Sequence, residues 1–387
     1  MTAVLSKAAS STFAHAHAAG DDWRRALAAC GDALTAQKAH GALGLLYVTE
    51  AWAAHLGDMA ATLQSRLGVP HWTGCAGMGI FAAETEYQNE PAMSVMVAPF
   101  TPDQISPLDT VIDETAATTQ ATTPWCRMNA PVMGILHGDP RNSNVEAMVR
   151  ALMSDDVGGG YVVGGLTTGS HAPAQLADSP TTGGLSGVLL ASSVSVAATL
   201  SQGCTPIGRV HRVTSGRRGM VAELDGRSAV SVLKEDVGEL LARDLRRLGG
   251  YIHAALPVDG SDMGDYTVRN LMGIDSTSGT IAIGADVNGG DALMFVRRDP
   301  ASAQKDFIRA LEDLKKRIGA RKILGGHYVS CVARGPQMFG AVGGEARMIA
   351  DTLGAFPLTG FFANGEICGS RLYGYTGVLS VFLDAPL

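Results

Sequence analysis

Leu43-Gly44-Leu45-Leu46-Tyr47-Val48 is a continuous apolar run, and one helix-length segment later His71-Trp72-Thr73-Gly74-Cys75 opens into Ala76-Gly77-Met78-Gly79. Residues from about Trp52 to Leu67 lie between them and read as a helix stopped by Gly68 and Pro70. The same grammar returns downstream. Val132-Met133-Gly134-Ile135-Leu136 is a strand, Asn144 to Met153 a helix, and Tyr161-Val162-Val163-Gly164-Gly165 a strand opening into Leu166-Thr167-Thr168-Gly169. Gly134, Gly164 and Gly169 stand 90 residues after Gly44, Gly74 and Gly79, with no gap. Three glycines in register with one element order mark an internal repeat. The repeated unit is βαβ, which implies parallel strands and right-handed crossovers.

Outward from this repeat, Asp21 to Lys38 reads as a helix and Ser94 to Phe100 as a strand. Residues Pro99 to Pro131 read as a surface connection holding a helix, and Gly184 to Thr199 as one long strand pattern. Arg209 to Val232 alternates polar and apolar residues around Asp225-Gly226, a hairpin signal. Glu235 to Leu248 reads as a helix. The last third alternates again: a helix over Ala301 to Ile318, a strand over Tyr328 to Ala333, a helix over Gly344 to Leu353, then strands at Leu358 to Phe362 and Val378 to Leu383. The expected fold is α/β with mixed β-sheets in two domains. Residues 1–39 form an N-terminal extension and helix, 40–234 a domain with the duplicated unit, and 235–387 a second domain, with the boundary near Lys234.

The 387 residues are 46% hydrophobic and 17% charged, a balance that excludes disorder. A net charge of −7 without a basic stripe argues against nucleic acid. The six cysteines form no CxxC pair, so neither a disulfide framework nor a zinc site is expected; a reducing, cytoplasmic compartment fits. Met1 to Gly20 lacks the charge and apolar runs of a signal peptide. Leu185 to Leu200 is too short and too polar to cross a bilayer, so no membrane partner is expected.

Two groups of residues carry chemistry. The glycines at the strand exits (Gly74, Gly77 and Gly79, then Gly164 and Gly169) let backbone N–H groups approach a ligand, which in parallel sheets sits at the carboxyl ends of strands. Neither stretch is a Walker loop. The second group is C-terminal: Cys331 to Gly335, then Gly360 to Ile367, then Tyr373 to Gly377. Arg334 could clamp a ligand carboxylate, and Glu366 could take an ammonium or neutralise Arg334. Asn364 and Tyr375 add an amide and a phenol. Cys331 stands near enough in sequence to Arg334 for a lowered thiol pKa, the basis of a thiol-dependent enzyme as an alternative. His71, His137, His171 and His327 lie near strand ends, and His15 and His17 near the N-terminus; none forms a recognisable metal motif, and haem is the cofactor they leave open.

The motifs Cys331-Val332-Ala333-Arg334-Gly335, Gly360-Phe361-Phe362-Ala363-Asn364-Gly365-Glu366-Ile367 and Gly374-Tyr375-Thr376-Gly377-Val378-Leu379 resemble the C-terminal domain of the FIST family of intracellular sensory proteins. Gly203-Cys204-Thr205-Pro206-Ile207-Gly208 with Leu224-Asp225-Gly226 resembles the end of its N-terminal domain. The resemblance extends from about residue 40 onward. It implies binding of a small molecule, an amino acid or similar metabolite, and signalling to a separate protein partner. Haem and nitric-oxide sensing is the alternative it carries. The expected site combines Arg334, Asn364, Glu366, Cys331 and Tyr375 with the two Gly-lined strand exits.

Overall fold

The computed structural model describes residues 12–153, 160–169, 174–239, 244–258, 266–340 and 343–384. The first repeat runs β1 (Ala14–Ala19), α1 (Trp23–Ala36), β2 (Leu43–Thr49), α2 (Leu56–Leu67), β3 (His71–Gly77), β4 (Gly79–Ala82), β5 (Thr85–Gln88) and β6 (Ala92–Ala98). The second runs β7 (Ile105–Val111), α3 (Glu114–Ala121), α4 (Pro124–Asn129), β8 (Met133–Gly138), α5 (Val145–Leu152), β9 (Tyr161–Leu166), β10 (Gln175–Ala177), β11 (Ser179–Thr181) and β12 (Leu185–Leu190). A third begins at β13 (Val196–Ser201) and is interrupted. The insert is β14 (Thr205–Arg217), β15 (Met220–Leu224), β16 (Arg227–Ser228), α6 (Ala229–Val237), β17 (Ile252–Pro257), β18 (Tyr266–Asp275), β19 (Thr280–Ile283) and β20 (Ala292–Arg297). The third repeat then resumes with α7 (Pro300–Ile318), β21 (Ile323–Cys331), α8 (Gly335–Phe339), α9 (Gly344–Leu353), β22 (Leu358–Ala363), β23 (Glu366–Cys368), β24 (Arg371–Tyr373) and β25 (Gly377–Leu383).

The chain is α/β with mixed sheets, and the expected parallel pairs β2–β3 and β8–β9 are present. A third parallel pair, β21–β22, completes the set. The three sheets have one plan: β1-β6-β2-β3-β10-β11, β7-β12-β8-β9-β23-β24 and β13-β25-β21-β22-β4-β5. In each, the last two strands are a hairpin lent by another repeat. The hairpin after β3 joins the third sheet, that after β9 the first, and that after β22 the second. The repeats are thereby interlocked by backbone hydrogen bonds. One buried core, with Leu45, Ile135 and Val329 among its members, lies between the inner faces of the sheets. Helices cover the outer faces, α1 and α2 on the first, α3 and α5 on the second, α7 to α9 on the third.

The glycines explain why this plan is written as it is. A Cβ on Gly74 would stand 1.8 Å from Leu46 O, on Gly164 1.9 Å from Leu136 O, and on Gly360 1.8 Å from Tyr328 O. Their φ angles of 151°, 146° and 154° are ones that L side chains rarely adopt. Each lies mid-strand in the second parallel strand of its repeat, so it serves close strand approach.

Other expectations shift in detail. Gly184 to Thr199 is two strands in different sheets, β12 and β13, because a turn intervenes at residues 191–195. The expected connection at 99–131 contains β7, an edge strand that accommodates Pro107. Asp225 and Gly226, at φ 52° and 72°, do turn a hairpin, but into the two-residue β16. The helix expected over Glu235 to Leu248 begins earlier, as α6, and residues 240–243 lie outside the described set. The insert forms an antiparallel sheet, β14-β20-β17-β18-β19-β15-β16, closed like a barrel by β14–β15 pairing. Lys234 falls inside α6, which packs on the core of that sheet.

Candidate functional site

Thr49, Asp139 and Cys331 occupy one position in the three repeats, three residues beyond the carbonyls approached by Gly74, Gly164 and Gly360. What stands above this position differs. In the second repeat the space is filled by the chain itself. Arg141 Nε and Nη2 donate to the two Asp139 oxygens at 3.0 and 2.7 Å, and Thr182 Oγ1 and Gly183 N donate to Oδ2 at 2.8 and 2.7 Å. Burial pushes the Asp139 carboxyl up, but these bonds outweigh it and hold the pKa well below the usual range. In the first repeat a cleft of about 180 Å³ lies between Thr49, Glu50, Met78 and the turn at Asn89-Glu90. In the third a cleft of about 350 Å³ opens, because β18 of the insert stands across the strand exits as an opposite wall.

The larger cleft has Cys331, Val332 and Ala333 at the exit of β21, Asn364 and Gly365 at the β22–β23 turn, and Tyr375 between β24 and β25. Val268, Arg269, Asn270 and Met272 of β18 face them. Tyr375 adopts φ 65° and its hydroxyl donates to Asn270 Oδ1 at 2.5 Å, which ties the two walls together. The Arg298 guanidinium lies 5.2 Å from the Tyr375 ring centroid and donates to Ala333 O.

Cys331 is 7% exposed, and the backbone N–H groups of Ala333 and Tyr375 point at its sulfur. Burial first, then the neighbouring Glu366 carboxyl, pushes the thiol pKa well up, so Cys331 is a protonated floor residue at neutral pH. Glu366 is fully buried below it. Its Oε2 accepts from Thr376 N at 3.0 Å and Oγ1 at 2.7 Å, and the Cys331 thiol also donates to the carboxyl. Burial raises the Glu366 pKa to about 7 against those bonds. A carboxyl raised in the folded state contributes stability that is complete below its unfolded pKa and lost as pH rises through the folded one. Glu366→Gln is therefore expected to gain about 3 kcal/mol relative to the natural protein between pH 4.5 and pH 8. Urea unfolding at the two pH values measures it; a pH-independent difference would contradict the assignment.

Arg334 and Glu366 do not meet as a ligand clamp. Arg334 is 1% exposed and packs against the Phe307 and Phe339 rings. Its Nε donates to Glu345 Oε1 at 2.8 Å and Nη1 to Ser201 Oγ at 3.3 Å. Tyr328 and Ser330 also donate to Glu345, at 2.6 and 2.8 Å. Arg334 thus braces the crossover beneath the cleft. The Gly-rich exits converge with the C-terminal motif more closely: Thr168 Oγ1 accepts from Met78 N at 2.6 Å and donates to Phe362 O at 3.1 Å, and Asn364 N donates to Leu166 O at 3.0 Å. Gly77 and Gly79 pack against Phe362, and Gly169 lies near Glu50. These glycines build the junction of the three repeats; Cys331, Asn364 and Tyr375 line the cleft.

Two of the histidines form a group with Tyr47. Its hydroxyl lies 2.9 Å from His137 Nε2 and 2.7 Å from His327 Nε2, so each repeat contributes one residue, and all three are fully buried. A phenol has one proton, so it donates to one imidazole and accepts from the other. His137 Nδ1 stands 3.4 Å from Thr73 Oγ1, whose proton goes to Leu176 O. Every proton is placed if His327 donates to Tyr47, Tyr47 to His137 and His137 to Thr73. Burial holds both imidazoles at about 3, hence neutral. The other histidines are engaged elsewhere: His15 with Ser94, His17 with Tyr87, His71 with Asp178. His171 lies outside the described residues. Among the described residues no three His, Cys, Asp or Glu side chains converge in a metal-holding group, and no helix is long and apolar enough to cross a membrane.

Comparison with known protein families matches most of the chain. The FIST N domain matches residues 42–227 and the FIST C domain residues 229–369. The chain belongs to the FIST family, whose domains are associated with small-ligand-binding sensory function. It is similar to an uncharacterized protein of Mycobacterium tuberculosis, 34% identical over 342 residues that cover 84% of this chain and 87% of that one. An uncharacterized protein of Mycobacterium bovis is 30% identical over 355 residues, covering 88% and 90%.

Proposed function

We propose that the chain is a cytoplasmic ligand-binding sensory protein whose ligand occupies the cleft between β18 and the strand exits of the third repeat, and which reports occupancy to a separate protein partner. The observation that carries this reading is the difference between equivalent positions. The second repeat fills the space with Arg141 on Asp139, whereas the third keeps about 350 Å³ open and walls it with the insert. That volume lies within the range of small-molecule sites. The insert joins the third repeat at two adjacent crossings, Ser201 to Thr205 and Arg297 to Pro300. A ligand touching both walls acts on how the insert sits, which gives occupancy a mechanical readout. Six buried cysteines, none of them in a disulfide, accord with a reducing compartment.

A thiol-dependent enzyme finds less support, since its nucleophile would be the protonated Cys331. Native Cys331 is expected to react with iodoacetamide at least about tenfold more slowly than an unfolded cysteine at pH 8; equal rates by peptide mass spectrometry would revive that reading. The ligand site is tested by hydrogen exchange. Protein purified under mild conditions is compared with the same protein unfolded, dialysed and refolded to remove bound molecules. Loss of protection is expected at 268–272, 331–333 and 372–375. A change confined to 49–51 and 89–91 would overturn the assignment in favour of the first repeat.

A further inference from the structure

We infer that the cleft takes a small organic anion, a carboxylate on an apolar or aromatic body, and that an amino acid is the poorer ligand; this rests on the cleft being the ligand site. The internal repeats supply the reasoning. In the second repeat a guanidinium meets a carboxylate, and the chain provides both as Arg141 and Asp139. In the third the floor position is the neutral Cys331, and the cation comes from the wall as Arg269. Arg269 is half-buried and pinned in place, Nη1 donating to Val268 O at 3.0 Å and Nη2 to Leu372 O at 3.5 Å. Among the described residues no Asp or Glu lines the cleft, so the one formal charge those residues bring to it is positive, in a chain of net charge −7.

The surrounding charges leave that balance in place. Arg298 adds a second cation behind Tyr375, and the ring of His253, held neutral mainly by burial, packs on the same tyrosine. Glu146, on α5, acts on Arg269 electrostatically but is not part of the lining. Glu366 lies beneath Cys331 with one oxygen committed to Thr376. A ligand carboxylate on Arg269 forms a charge-assisted, partly desolvated pair, to which the Asn270 and Asn364 amides add donors. An ammonium group would be desolvated with no carboxylate among the described lining residues to receive it. Val268, Leu372, Tyr373 and Tyr375 surround the remaining volume and suit an apolar or aromatic body.

Isothermal titration calorimetry with 4-phenylbutyrate, its primary amide and 2-amino-4-phenylbutyrate tests this. The carboxylate is expected to bind at least about tenfold more tightly than either analogue, and Arg269→Gln to weaken it by at least about tenfold. Gly374→Trp serves as a cleft-filling variant: a Cβ there meets only Val268 O at 3.8 Å, so the indole can enter the open volume. It is expected to abolish binding, with unchanged circular dichroism in both variants. No detectable binding of phenylbutyrate, equal or tighter binding of the amide or the amino acid, or indifference to Arg269→Gln would overturn the anion. If the amino acid binds best and Gly374→Trp removes it, the cleft stands and the anion falls. If phenylbutyrate binding survives Gly374→Trp, the cleft itself is the wrong site.

Discussion

Glu345→Ala is expected to destabilise the protein by about 3–5 kcal/mol, the range for breaking a buried ion pair from one side. Glu345 is fully buried and accepts from Arg334, Tyr328 and Ser330 at once. Its removal leaves the Arg334 guanidinium buried with the Ser201 hydroxyl as its remaining neutral acceptor. The same position also joins two repeats, through backbone groups that the substitution leaves in place. Glu86 Oε1, on β5 of the first repeat, accepts from Glu345 N and Ala346 N at 2.9 and 3.0 Å. Glu86 sits near a pKa of 7, raised by burial first and then by the Glu345 charge. Replacing Arg334 as well, as Arg334→Met with Glu345→Leu, is expected to recover much of the loss, because no charge is then stranded. Urea unfolding measures both. A loss below about 1 kcal/mol in the single variant would show that the pair is solvated and not the brace described.

Gly360→Ala is expected to be at least as damaging, above about 4 kcal/mol or preventing folding altogether. The new methyl would stand 1.8 Å from Tyr328 O, and both atoms belong to the central parallel pair of the third sheet. Neither strand can withdraw: β21 is also bound by β25, and β22 by β4. Gly74→Ala and Gly164→Ala meet the same obstacle at 1.8 and 1.9 Å and are expected to behave alike. Gly273→Ala is the control. Its Cβ would meet only Ala282 Cβ at 3.9 Å, and a change within about 1 kcal/mol is expected. Soluble yield and thermal unfolding separate the two outcomes; a tolerated Gly360→Ala would mean that the third parallel pair is not built like the other two.

The three glycines also show why one repeat was legible as two of three. Gly44 to Gly74 and Gly134 to Gly164 each span 30 residues, whereas Gly326 to Gly360 spans 34. Gly326, Gly360 and Gly365 stand where Gly44, Gly74 and Gly79 do, but the four extra residues fall in the crossover and break a gap-free comparison. The insert from β14 to β20 also separates β13 from α7, so the third unit never reads as one segment. The exchanged hairpins are illegible for a different reason. Local sequence specifies that β4 and β5 turn back on each other, while their pairing with β22 is decided by long-range packing.

The site divides in the same way. Cys331, Asn364 and Tyr375 are signalled by their place after a strand or beside a glycine. Arg334 carries the same signal, yet which carboxylate it meets depends on a helix, α9, whose placement no motif specifies. Arg269 sits in an exposed-looking antiparallel strand and acquires its setting only because the insert folds back over the third repeat. Tyr47, His137 and His327 lie in apolar strand runs, where a lone polar residue reads as ordinary core. Their meeting follows from three inner faces sharing one core.

Native mass spectrometry of protein purified under mild conditions, the natural chain beside Gly374→Trp, tests the central claim most directly. A small molecule is expected to remain on the natural protein and to be absent from the cleft-filled variant at equal folded content. The same bound mass on both proteins would contradict a ligand in the cleft between the insert and the third repeat.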